Sequence, residues 1–324
     1  MTVSVIVPLY NKAPYVRRAL DSIRAQSWTD YEVIVVDDGS TDGGGSIVSE
    51  LRDPRFRLIV QPNAGPGPAR NRGLAEASRP FVAFLDADDE WLPEFLAASL
   101  ERLERAGPAV AAVASGYFEF PSGLSTEPLW RRRGLADGVV RVGPETAPRR
   151  LVFLLAFLSP FSVLARAATV RRWGGFYDRG RCLYAEDANL WLKVLLNEPV
   201  AYSMRPLVRY HREASVLSRQ RGGPRPVEPF LADPSEIEGC CPVGLRPLLA
   251  DFLALRALKT AGMLASWGRT REARALIRRY ARTTSRREPL YWAARLAASP
   301  VGPPIGRAWR AVRKSMNTSK LPEK

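Results

Sequence analysis

The sequence predicts an α/β fold in which a mostly parallel β-sheet is covered by helices. Through the first hundred residues, short apolar runs of strand length alternate with longer segments of helical periodicity, which is the pattern of successive βαβ units. Each short run is apolar at nearly every position, as expected of strands that are buried on both faces. We therefore expect the carboxyl ends of the parallel strands to meet at one edge, where ligands of such sheets bind.

Four strands and four helices are predicted in this first part of the chain. The strands cover residues 3–8, 33–36, 56–60 and 81–85. The first helix begins near Asn11, and the other three cover residues 45–51, 67–77 and about 93–106. Pro93 supports the last helix because proline is favoured in a first turn. Residues 109–218 are less regular, apart from a buried helix followed by a strand within 151–165. Five prolines mark residues 221–244, and apolar residues at helical spacing predict amphipathic helices from 245 to about 298.

The net charge of +15 is unevenly distributed along the chain. Residues 269–324 contain 15 Arg and Lys against 3 Asp and Glu, so the remainder of the chain is close to balanced. A basic excess indicates an anionic partner, which leaves nucleic acid, an acidic membrane surface and a phosphorylated substrate as candidates. The basic character therefore belongs to the C-terminal part of the chain rather than to the predicted α/β domain.

Cysteine use and hydropathy indicate the compartment. The chain has three cysteines, Cys182, Cys240 and Cys241, without metal-ligand spacing, so we predict no disulfide framework and a reducing environment. No uninterrupted apolar run reaches the roughly 20 residues that a membrane-spanning helix needs, and residues 1–8 have the pattern of a core strand rather than of a signal peptide. We expect a cytoplasmic protein, and leave peripheral attachment to the inner face of the cell membrane open.

Carboxylates cluster where two of the predicted strands end. Asp86-Ala87-Asp88-Asp89 follows the fourth strand, and a hard divalent cation with oxygen ligands would compensate the repulsion within it. Such a cation, Mg²⁺ or Mn²⁺, takes most of its other ligands from a diphosphate. A solvated turn that caps the next helix explains this cluster equally well. Asp37-Asp38 ends the second strand, and either presents a carboxylate to a base or ribose or forms an Asx-turn with Gly39.

Three further segments carry candidate functional residues. Glu186-Asp187 precedes an apolar helical segment and supplies either a general base or a helix cap. The single histidine, His211, is either a metal ligand or a surface residue. The Gly/Pro loop 63–71, which contains Gly65 and Arg70, can direct backbone N–H groups and a guanidinium towards phosphate. This loop does not match the Walker or dinucleotide-binding glycine patterns.

Together, these segments resemble one known family. The motifs are Val3-Ser4-Val5-Ile6-Val7-Pro8-Leu9-Tyr10-Asn11, Asp37-Asp38-Gly39-Ser40-Thr41-Asp42, residues 63–73, Asp86-Ala87-Asp88-Asp89 and Glu186-Asp187. In this order and at these strand ends, they resemble the inverting family 2 glycosyltransferases over about residues 2–215. The resemblance implies the GT-A nucleotide-diphospho-sugar transferase fold, and it does not extend to the predicted C-terminal α-helical extension.

The resemblance also implies a role for each site residue. The donor-binding residues would be Pro8, Tyr10, Asp38, Gly65, Arg70, Asp86, Asp88 and Gly175. Asp88 and His211 would hold Mn²⁺ or Mg²⁺, and Asp86 would face the ribose or the donor sugar. Asp187 would be the catalytic base, supported by Glu186.

The organisation and reaction of the chain follow from the same resemblance. Residues 1–108 would bind the nucleotide sugar, and residues 109–220 would complete this domain with the acceptor site and the catalytic base. Residues 221–244 would form a Pro-rich linker, and residues 245–324 a basic amphipathic helical extension. The implied reaction is metal-dependent transfer with inversion, from a nucleotide-diphospho-sugar such as a UDP-sugar to a glycan or lipid-linked acceptor, in cell-surface glycan assembly.

The same features allow other interpretations. The basic C-terminal helices either cap the catalytic domain or attach to an anionic membrane surface, where each basic residue contributes roughly 1 kcal/mol. A nucleic-acid-binding protein is disfavoured because the basic residues lack interleaved aromatic platforms and recognised fold motifs. A nucleotidyltransferase is disfavoured because its glycine- and lysine-rich N-terminal loop is absent, and a non-catalytic family member because all the expected carboxylates are present.

Overall fold

The structure is a computed structural model that describes residues 1–214, 225–281 and 289–299. Within these residues, helices pack on both faces of a ten-stranded mixed sheet. The strands are β1 (Val3–Leu9), β2 (Tyr31–Asp37), β3 (Phe56–Val60), β4 (Phe81–Phe84), β5 (Glu90–Trp91), β6 (Ala112–Phe120), β7 (Leu124–Ser125), β8 (Gly138–Val140), β9 (Val163–Arg166) and β10 (Val200–His211). The α-helices are α1 (Ala13–Arg24), α2 (Gly44–Ser49), α3 (Pro66–Glu76), α4 (Phe95–Ala106), α5 (Glu127–Arg132), α6 (Pro148–Phe157), α7 (Ala167–Arg172), α8 (Glu186–Asn197), α9 (Pro229–Ala232), α10 (Ser235–Cys240), α11 (Arg246–Ser266), α12 (Thr270–Tyr280) and α13 (Pro289–Ala297).

The strands lie in the order β3-β2-β1-β4-β9-β6-β10-β5, with β7 beside β6 and β8 beside β10. Strand β1 pairs in parallel with β2 and β4, so Ile6 stands between Ile34 and Phe84. All three side chains are fully buried because helices cover both faces. The predicted strands and helices of residues 3–106 are confirmed, with ends that differ by two residues at most. The carboxyl ends of β3, β2, β1 and β4 therefore share one edge.

Each face of the sheet has its own helical layer. Helices α1 and α4 cover one face, with Leu20 and Leu100 among their buried side chains. Helices α3, α6, α8 and α11 cover the other face, where Leu154, Trp191 and Phe252 are buried. Strand β9 runs antiparallel between β4 and β6, so it separates the parallel strands of the N-terminal part from β6 and β10. The predicted helix and strand within residues 151–165 are confirmed as parts of α6 and β9.

Helix α3 is pressed between β1 and the segment that follows α7. A Cβ atom on Gly73 would lie 2.5 Å from Ile6 Cγ2 of β1. A Cβ atom on Gly67 would collide with the backbone oxygen of Tyr177. Both positions therefore need glycine for close approach, and they fix α3 against two other elements.

The described part of the predicted Pro-rich linker, residues 225–244, contains α9 and α10. Phe230 and Ile237 are fully buried in these helices. Glu228, which is 1% exposed, accepts a hydrogen bond from Thr260 Oγ1 at 2.8 Å and lies 2.7 Å from Arg256 Nη2. This segment thus joins α11 to the sheet domain, because a buried carboxylate is stable only when it is paired.

The predicted helical extension is present as α11, α12 and α13. Residues 282–288 and 300–324 of the extension lie outside the described residues. In the part of the chain that the structure describes, none of the helices combines the length and the apolar character needed to cross a membrane.

Candidate active site

A cavity of about 690 Å³ opens at the carboxyl ends of β1, β2 and β4. Its other walls come from the loop before α3, the start of α8 and the turn before β9. The predicted site residues that line it are Pro8, Tyr10, Asp38, Gly65, Arg70, Asp86, Asp88, Glu186 and Asp187. The structure therefore brings most of the predicted residues into one space, as the convergence of parallel strand ends requires.

Asp38 is 2% exposed and holds the loop between β3 and α3. Its Oδ1 accepts hydrogen bonds from Gln61 Nε2 at 2.8 Å and from Ala64 N at 2.9 Å. Its Oδ2 accepts a hydrogen bond from Gly65 N at 2.8 Å, and Gly65 has a φ of 105° that favours glycine. Such charge-assisted bonds to backbone groups are strong, so Asp38 shapes the cavity through the loop that carries Gly65.

The turn after β1 is tied to the turn after β2. Asn11 has a φ of 49°, its Oδ1 accepts a hydrogen bond from Thr41 N at 2.8 Å, and its N donates to Ser40 Oγ at 3.0 Å. Asparagine tolerates this left-handed conformation better than most residues. The neighbouring Tyr10 is 45% exposed and lines the cavity beside Pro8, which leaves an aromatic face available to a ligand.

Arg70 is buried and bridges two carboxylates that are distant in sequence. Its Nη2 lies 2.6 Å from Asp86 Oδ1, and its Nη1 lies 2.8 Å from Glu186 Oε1. The guanidinium carbon is also 5.2 Å from the centroid of the Phe176 ring. Burial lowers the pKa of Arg70, but Asp86 and Glu186 outweigh this effect and hold the pKa above its ordinary value. Arg70 thus fixes the start of α8 relative to the end of β4.

Asp88 and Asp89 have different partners. Asp88 Oδ2 lies 2.6 Å from Lys12 Nζ; burial raises the pKa of Asp88, and Lys12 offsets part of this rise. Asp89 Oδ1 accepts a hydrogen bond from His211 N at 2.8 Å, whereas its Oδ2 has no hydrogen-bond partner among the described residues. Burial, followed by the carboxylates of Asp88 and Asp86, holds the pKa of Asp89 well above its ordinary value.

His211 is 6% exposed, and carboxylates occupy both of its ring nitrogens. Its Nε2 lies 2.6 Å from Glu90 Oε1 and its Nδ1 lies 2.8 Å from Glu213 Oε1. The ring stacks on Phe120, with centroids 4.9 Å apart. His211 does not line the cavity, so the structure links it to the carboxylate cluster through its backbone N–H on Asp89 and not through its ring.

Asp187 lies at the start of α8 and is partly exposed to the cavity. Burial and the neighbouring Glu186 raise the pKa of Asp187 to about 7, although the Arg70 guanidinium opposes the shift. Ala185 precedes these carboxylates with a φ of 60°, a left-handed conformation that costs a non-glycine residue roughly 1 kcal/mol. The backbone here is therefore held in an unfavourable conformation directly beside the candidate base.

Neither Glu186-Asp187 nor Asp86-Ala87-Asp88-Asp89 supplies the N-cap of a helix. The residue at the N-cap of α8 is Ala185, so Glu186 and Asp187 already belong to the first turn. Helix α4 begins at Phe95 with Glu94 at its N-cap, beyond Asp86-Ala87-Asp88-Asp89. The alternative role as a cap is thus not what these residues do in the fold.

Gly175 lies outside the cavity, in contact with α3. It has a φ of 69°, and a Cβ atom there would collide with Asn71 Oδ1. Asn71 Oδ1 accepts a hydrogen bond from Phe176 N at 2.8 Å, and Asn71 Nδ2 donates to Phe176 O at 2.8 Å. Gly175 permits this double contact, so in the structure it positions the segment before α8.

The cavity also contains residues that the sequence analysis did not single out. Lys12 follows Tyr10-Asn11 directly, and this position at a strand end is the only signal that would have indicated it. Phe161 and Tyr210 stack with ring centroids 5.0 Å apart and 12° between their planes. No sequence signal indicated these two rings, because they reach the cavity through the positions of β9 and β10 in the sheet.

Comparison with known proteins identifies the family. Residues 4–153 match the family model described as glycosyl transferase family 2. This range contains β1 to β4 and the carboxylates at their ends. Residues 4–153, the N-terminal part of the sheet domain, therefore form a glycosyl transferase family 2 segment.

Two curated relatives show the extent of the similarity. The chain is 33% identical over 230 residues to the glycosyltransferase GlyA of Streptococcus pneumoniae, which covers 67% of this chain and 31% of GlyA. It is 42% identical over 110 residues to the succinoglycan biosynthesis protein ExoO of Rhizobium meliloti, which covers 34% of this chain and 32% of ExoO. The chain spans about a third of the length of these relatives.

Solved structures show the fold. Residues 1–349 of TarS from S. aureus superpose with a TM-score of 0.59 at 21% identity, covering 96% of this chain and 92% of that chain; TarS has also been solved with UDP and with UDP-GlcNAc. The mannosyltransferase PcManGT of Pyrobaculum calidifontis, in complex with GDP-Man and Mn²⁺, superposes with a TM-score of 0.51 at 20% identity over 95% and 87% of the two chains. The sheet with its flanking helices is thus a GT-A fold, followed by C-terminal helices.

Proposed function

We propose that the protein transfers a sugar from a nucleotide-diphospho-sugar to an acceptor hydroxyl, with inversion at the anomeric carbon. The observation that carries this proposal is one shared cavity of about 690 Å³, which is lined by Asp38 and Asp88 at the strand ends and by Asp187 at the start of α8. The pKa of Asp187 is raised to about 7, which suits a group that accepts a proton near neutral pH. The family match over residues 4–153 supports the same reaction class.

The strand-end side is the proposed donor site. Tyr10 offers its exposed face to the base, and the loop that Asp38 holds offers the backbone around Gly65 to the ribose and phosphates. Arg70 already bridges Asp86 and Glu186, so its proposed role is to position the donor-side carboxylate and not to bind phosphate directly. UDP-sugars are the proposed donors, and the TarS complexes with UDP and UDP-GlcNAc support this choice.

Mn²⁺ or Mg²⁺ fits the carboxylates of the donor site. Hard divalent cations prefer oxygen ligands, and Asp88 supplies them, while Asp89 Oδ2 is a buried carboxylate oxygen without a partner among the described residues. Within the described residues, no group of three or more His, Cys, Asp and Glu side chains could by itself hold a metal ion. We therefore propose Asp88 as the protein ligand of the cation and the diphosphate as the source of its other ligands. The ring of His211 is not proposed as a ligand, because carboxylates contact both of its nitrogens. When bound, the cation would offset the charge that develops on the departing diphosphate, and PcManGT with Mn²⁺ supports this assignment.

Asp187, at the start of α8, is the proposed catalytic base. Its carboxylate takes the proton from the acceptor hydroxyl while the hydroxyl oxygen forms a bond to the anomeric carbon. The bond between that carbon and the diphosphate oxygen breaks, so attack from the opposite side inverts the configuration. Glu186, held by Arg70, positions the first turn of α8. The two carboxylates need opposite surroundings, because Asp88 must stay ionised and Asp187 must accept a proton.

The proposed acceptor is a glycan or a lipid-linked sugar in cell-surface glycan assembly. The similarity to ExoO, a succinoglycan biosynthesis protein, supports this class. Calorimetric titration of UDP, GDP and dTDP, each with and without Mn²⁺, tests the donor site in wild-type protein and in Asp88→Ala. We expect one nucleotide to bind, and its affinity to fall about tenfold or more when Mn²⁺ or Asp88 is removed. Absence of nucleotide binding would contradict the proposal, and the anomeric configuration of the product, read by NMR, tests inversion.

We also propose that the C-terminal basic helices attach the protein to an anionic membrane surface. On α13, Trp292 is 57% exposed and Leu296 is 49% exposed, one turn apart and beside Arg295. Exposed apolar side chains among arginines suit the interface of an anionic bilayer. The protein should sediment with phosphatidylglycerol vesicles, and the fraction that sediments should fall in Trp292→Ala. Equal sedimentation with phosphatidylcholine vesicles, or none with either, would contradict the assignment.

A further inference from the structure

Lys12 places a positive charge directly at the donor site. It is the N-cap residue of α1, and its side chain is 18% exposed and lines the cavity. Its Nζ lies 2.6 Å from Asp88 Oδ2 and donates a hydrogen bond to Ala214 O at 2.7 Å. An ammonium group has three donors on a flexible stem, and these contacts use two of them within the described residues.

Comparison with Arg70 shows why Lys12 can change partners. Arg70 is 4% exposed and held by two carboxylates and the Phe176 ring, so it is a fixed bridge. Lys12 has one carboxylate partner, one neutral carbonyl partner and the Tyr15 ring centroid 5.7 Å from its Nζ, and its four-carbon stem reaches the cavity from the start of α1. A point charge on such a stem can move to a neighbouring phosphate without unfolding its helix.

The proposed donor site requires such a movement. A divalent cation that binds Asp88 would meet the ammonium group that already occupies one oxygen of that carboxylate. Two cations cannot share the same oxygen without repulsion. The incoming diphosphate brings the negative charge that would accept the displaced ammonium group.

We propose that Lys12 exchanges partners during donor binding: it competes with the divalent cation for Asp88 in the free protein and contacts the diphosphate in the complex. This inference rests on the proposed function, because it takes the nucleoside diphosphate and the cation as ligands of the cavity. It assigns Lys12 a role in binding and not in proton transfer.

Two binding measurements with opposite expected signs test this exchange. Binding of Mn²⁺ alone is measured from the electron paramagnetic resonance signal of free Mn²⁺, and binding of UDP is measured by calorimetry at saturating Mn²⁺. Lys12→Met should bind Mn²⁺ alone about three- to tenfold more tightly, because the competing charge is gone. The same variant should bind UDP at saturating Mn²⁺ about tenfold more weakly, because a phosphate contact is lost.

Arg17→Met provides the matched control. Arg17 lies on the same helix, carries the same charge and pairs with Glu50 at the surface, so both affinities should stay within about twofold of wild type. Lys12→Arg keeps the charge and should keep most of the UDP affinity. Thermal unfolding of each variant checks that the fold is retained.

The outcomes separate the two proposals. If wild-type protein binds UDP with Mn²⁺ and Lys12→Met behaves like Arg17→Met, or weakens both affinities together, the exchange is overturned while the donor site stands. A merely structural Lys12 would give the joint weakening. If wild-type protein binds neither UDP nor Mn²⁺, the proposed function and the exchange are both overturned.

Discussion

The cavity has a donor side, at the strand ends around Asp38, Asp86 and Asp88, and a base side, at Asp187 on α8. The two sides surround their carboxylates with different groups. On the donor side Asp38 accepts hydrogen bonds from backbone N–H groups, Asp86 pairs with Arg70 and Asp88 pairs with Lys12, whereas Asp89 Oδ2 has no hydrogen-bond partner among the described residues. On the base side, burial and Glu186 raise the pKa of Asp187 to about 7. N–H donors and cationic side chains thus contact Asp38, Asp86 and Asp88, whereas burial and a second carboxylate allow Asp187 to take up a proton near neutral pH.

This difference has a structural origin. The donor side is built at the ends of β1, β2 and β4, and its carboxylates find their partners at the start of α1, in the loop before α3 and on α3 itself. The base side is built on α8, which packs against α9 and α10 of the C-terminal part. There, the Arg225 guanidinium lies 5.3 Å from the Tyr184 ring, two residues before Glu186. We therefore expect variants of the two sides to separate binding from turnover.

The largest expected effect comes from Asp187→Asn. An amide cannot accept the acceptor proton, so turnover should fall by about 10³-fold, within the range for loss of a general base. The affinity for UDP and Mn²⁺ should stay within about twofold, because the donor side is unchanged. Release of UDP from the donor sugar and calorimetry measure the two quantities.

Asp178→Asn is the control for this variant, since Asp178 belongs to the segment before α8 but does not line the cavity. It should retain most of the turnover. Equal loss in both variants, or loss of UDP affinity in Asp187→Asn, would show that the two sides are not separable as described.

The next effect concerns the support of the base side. Glu228→Ala would leave the Arg256 guanidinium, which is 15% exposed, without its carboxylate, and breaking a buried pair costs about 3 kcal/mol in the free energy of unfolding. Urea denaturation measures this loss. Glu50→Ala, which breaks an exposed pair with Arg17, should cost less than about 1 kcal/mol. Similar losses in the two variants would refute the role of Glu228 in joining α11 to the domain.

The pH dependence should differ between the sides in the same way. Because Asp187 must be ionised to accept a proton and its pKa is raised to about 7, turnover should rise about tenfold per pH unit below pH 7 and level off above it. The UDP affinity should show no matching rise with a midpoint near pH 7. A turnover that is flat between pH 5.5 and 8 would mean that another group accepts the proton.

The smallest expected effect is on stability. Asp187 has a folded-state pKa above its unfolded value, so its contribution to stability is present below about pH 4 and is lost as pH rises through about 7. Asp187→Asn avoids that loss, and it should stabilise the protein by roughly 1 kcal/mol at pH 8, since the side chain is partly exposed to the cavity. Little gain is expected at pH 4. Urea denaturation at both pH values measures the difference, and a gain that is equal at both would contradict the assigned shift.

Much of the donor side could be predicted from the sequence, and less of the rest. Asp38 and Asp88 follow buried strands of a βαβ pattern, and the ends of adjacent parallel strands must meet. His211 is harder to place, because its ring partner Glu90 is brought to it by β5 pairing with β10. Gly175 was assigned to the donor through a family motif, whereas its place in the fold is set by contact with Asn71 on another helix. Tertiary contacts of this kind leave no periodic signal in the sequence.

Helix α3 has a consequence for how accurately the two reacting groups are aligned. It carries Arg70, which forms ion pairs with Asp86 and Glu186, and Asn71, which is hydrogen-bonded to the backbone of Phe176. The two sides are thus positioned by one eleven-residue helix. They do not depend on the hundred residues of chain that separate Asp86 from Glu186. Positional errors in the irregular middle region do not accumulate at the reaction centre, where a displacement of about 1 Å can cost about 100-fold in rate. The middle region is therefore free to diversify in length and sequence while the alignment of leaving group and base stays constant.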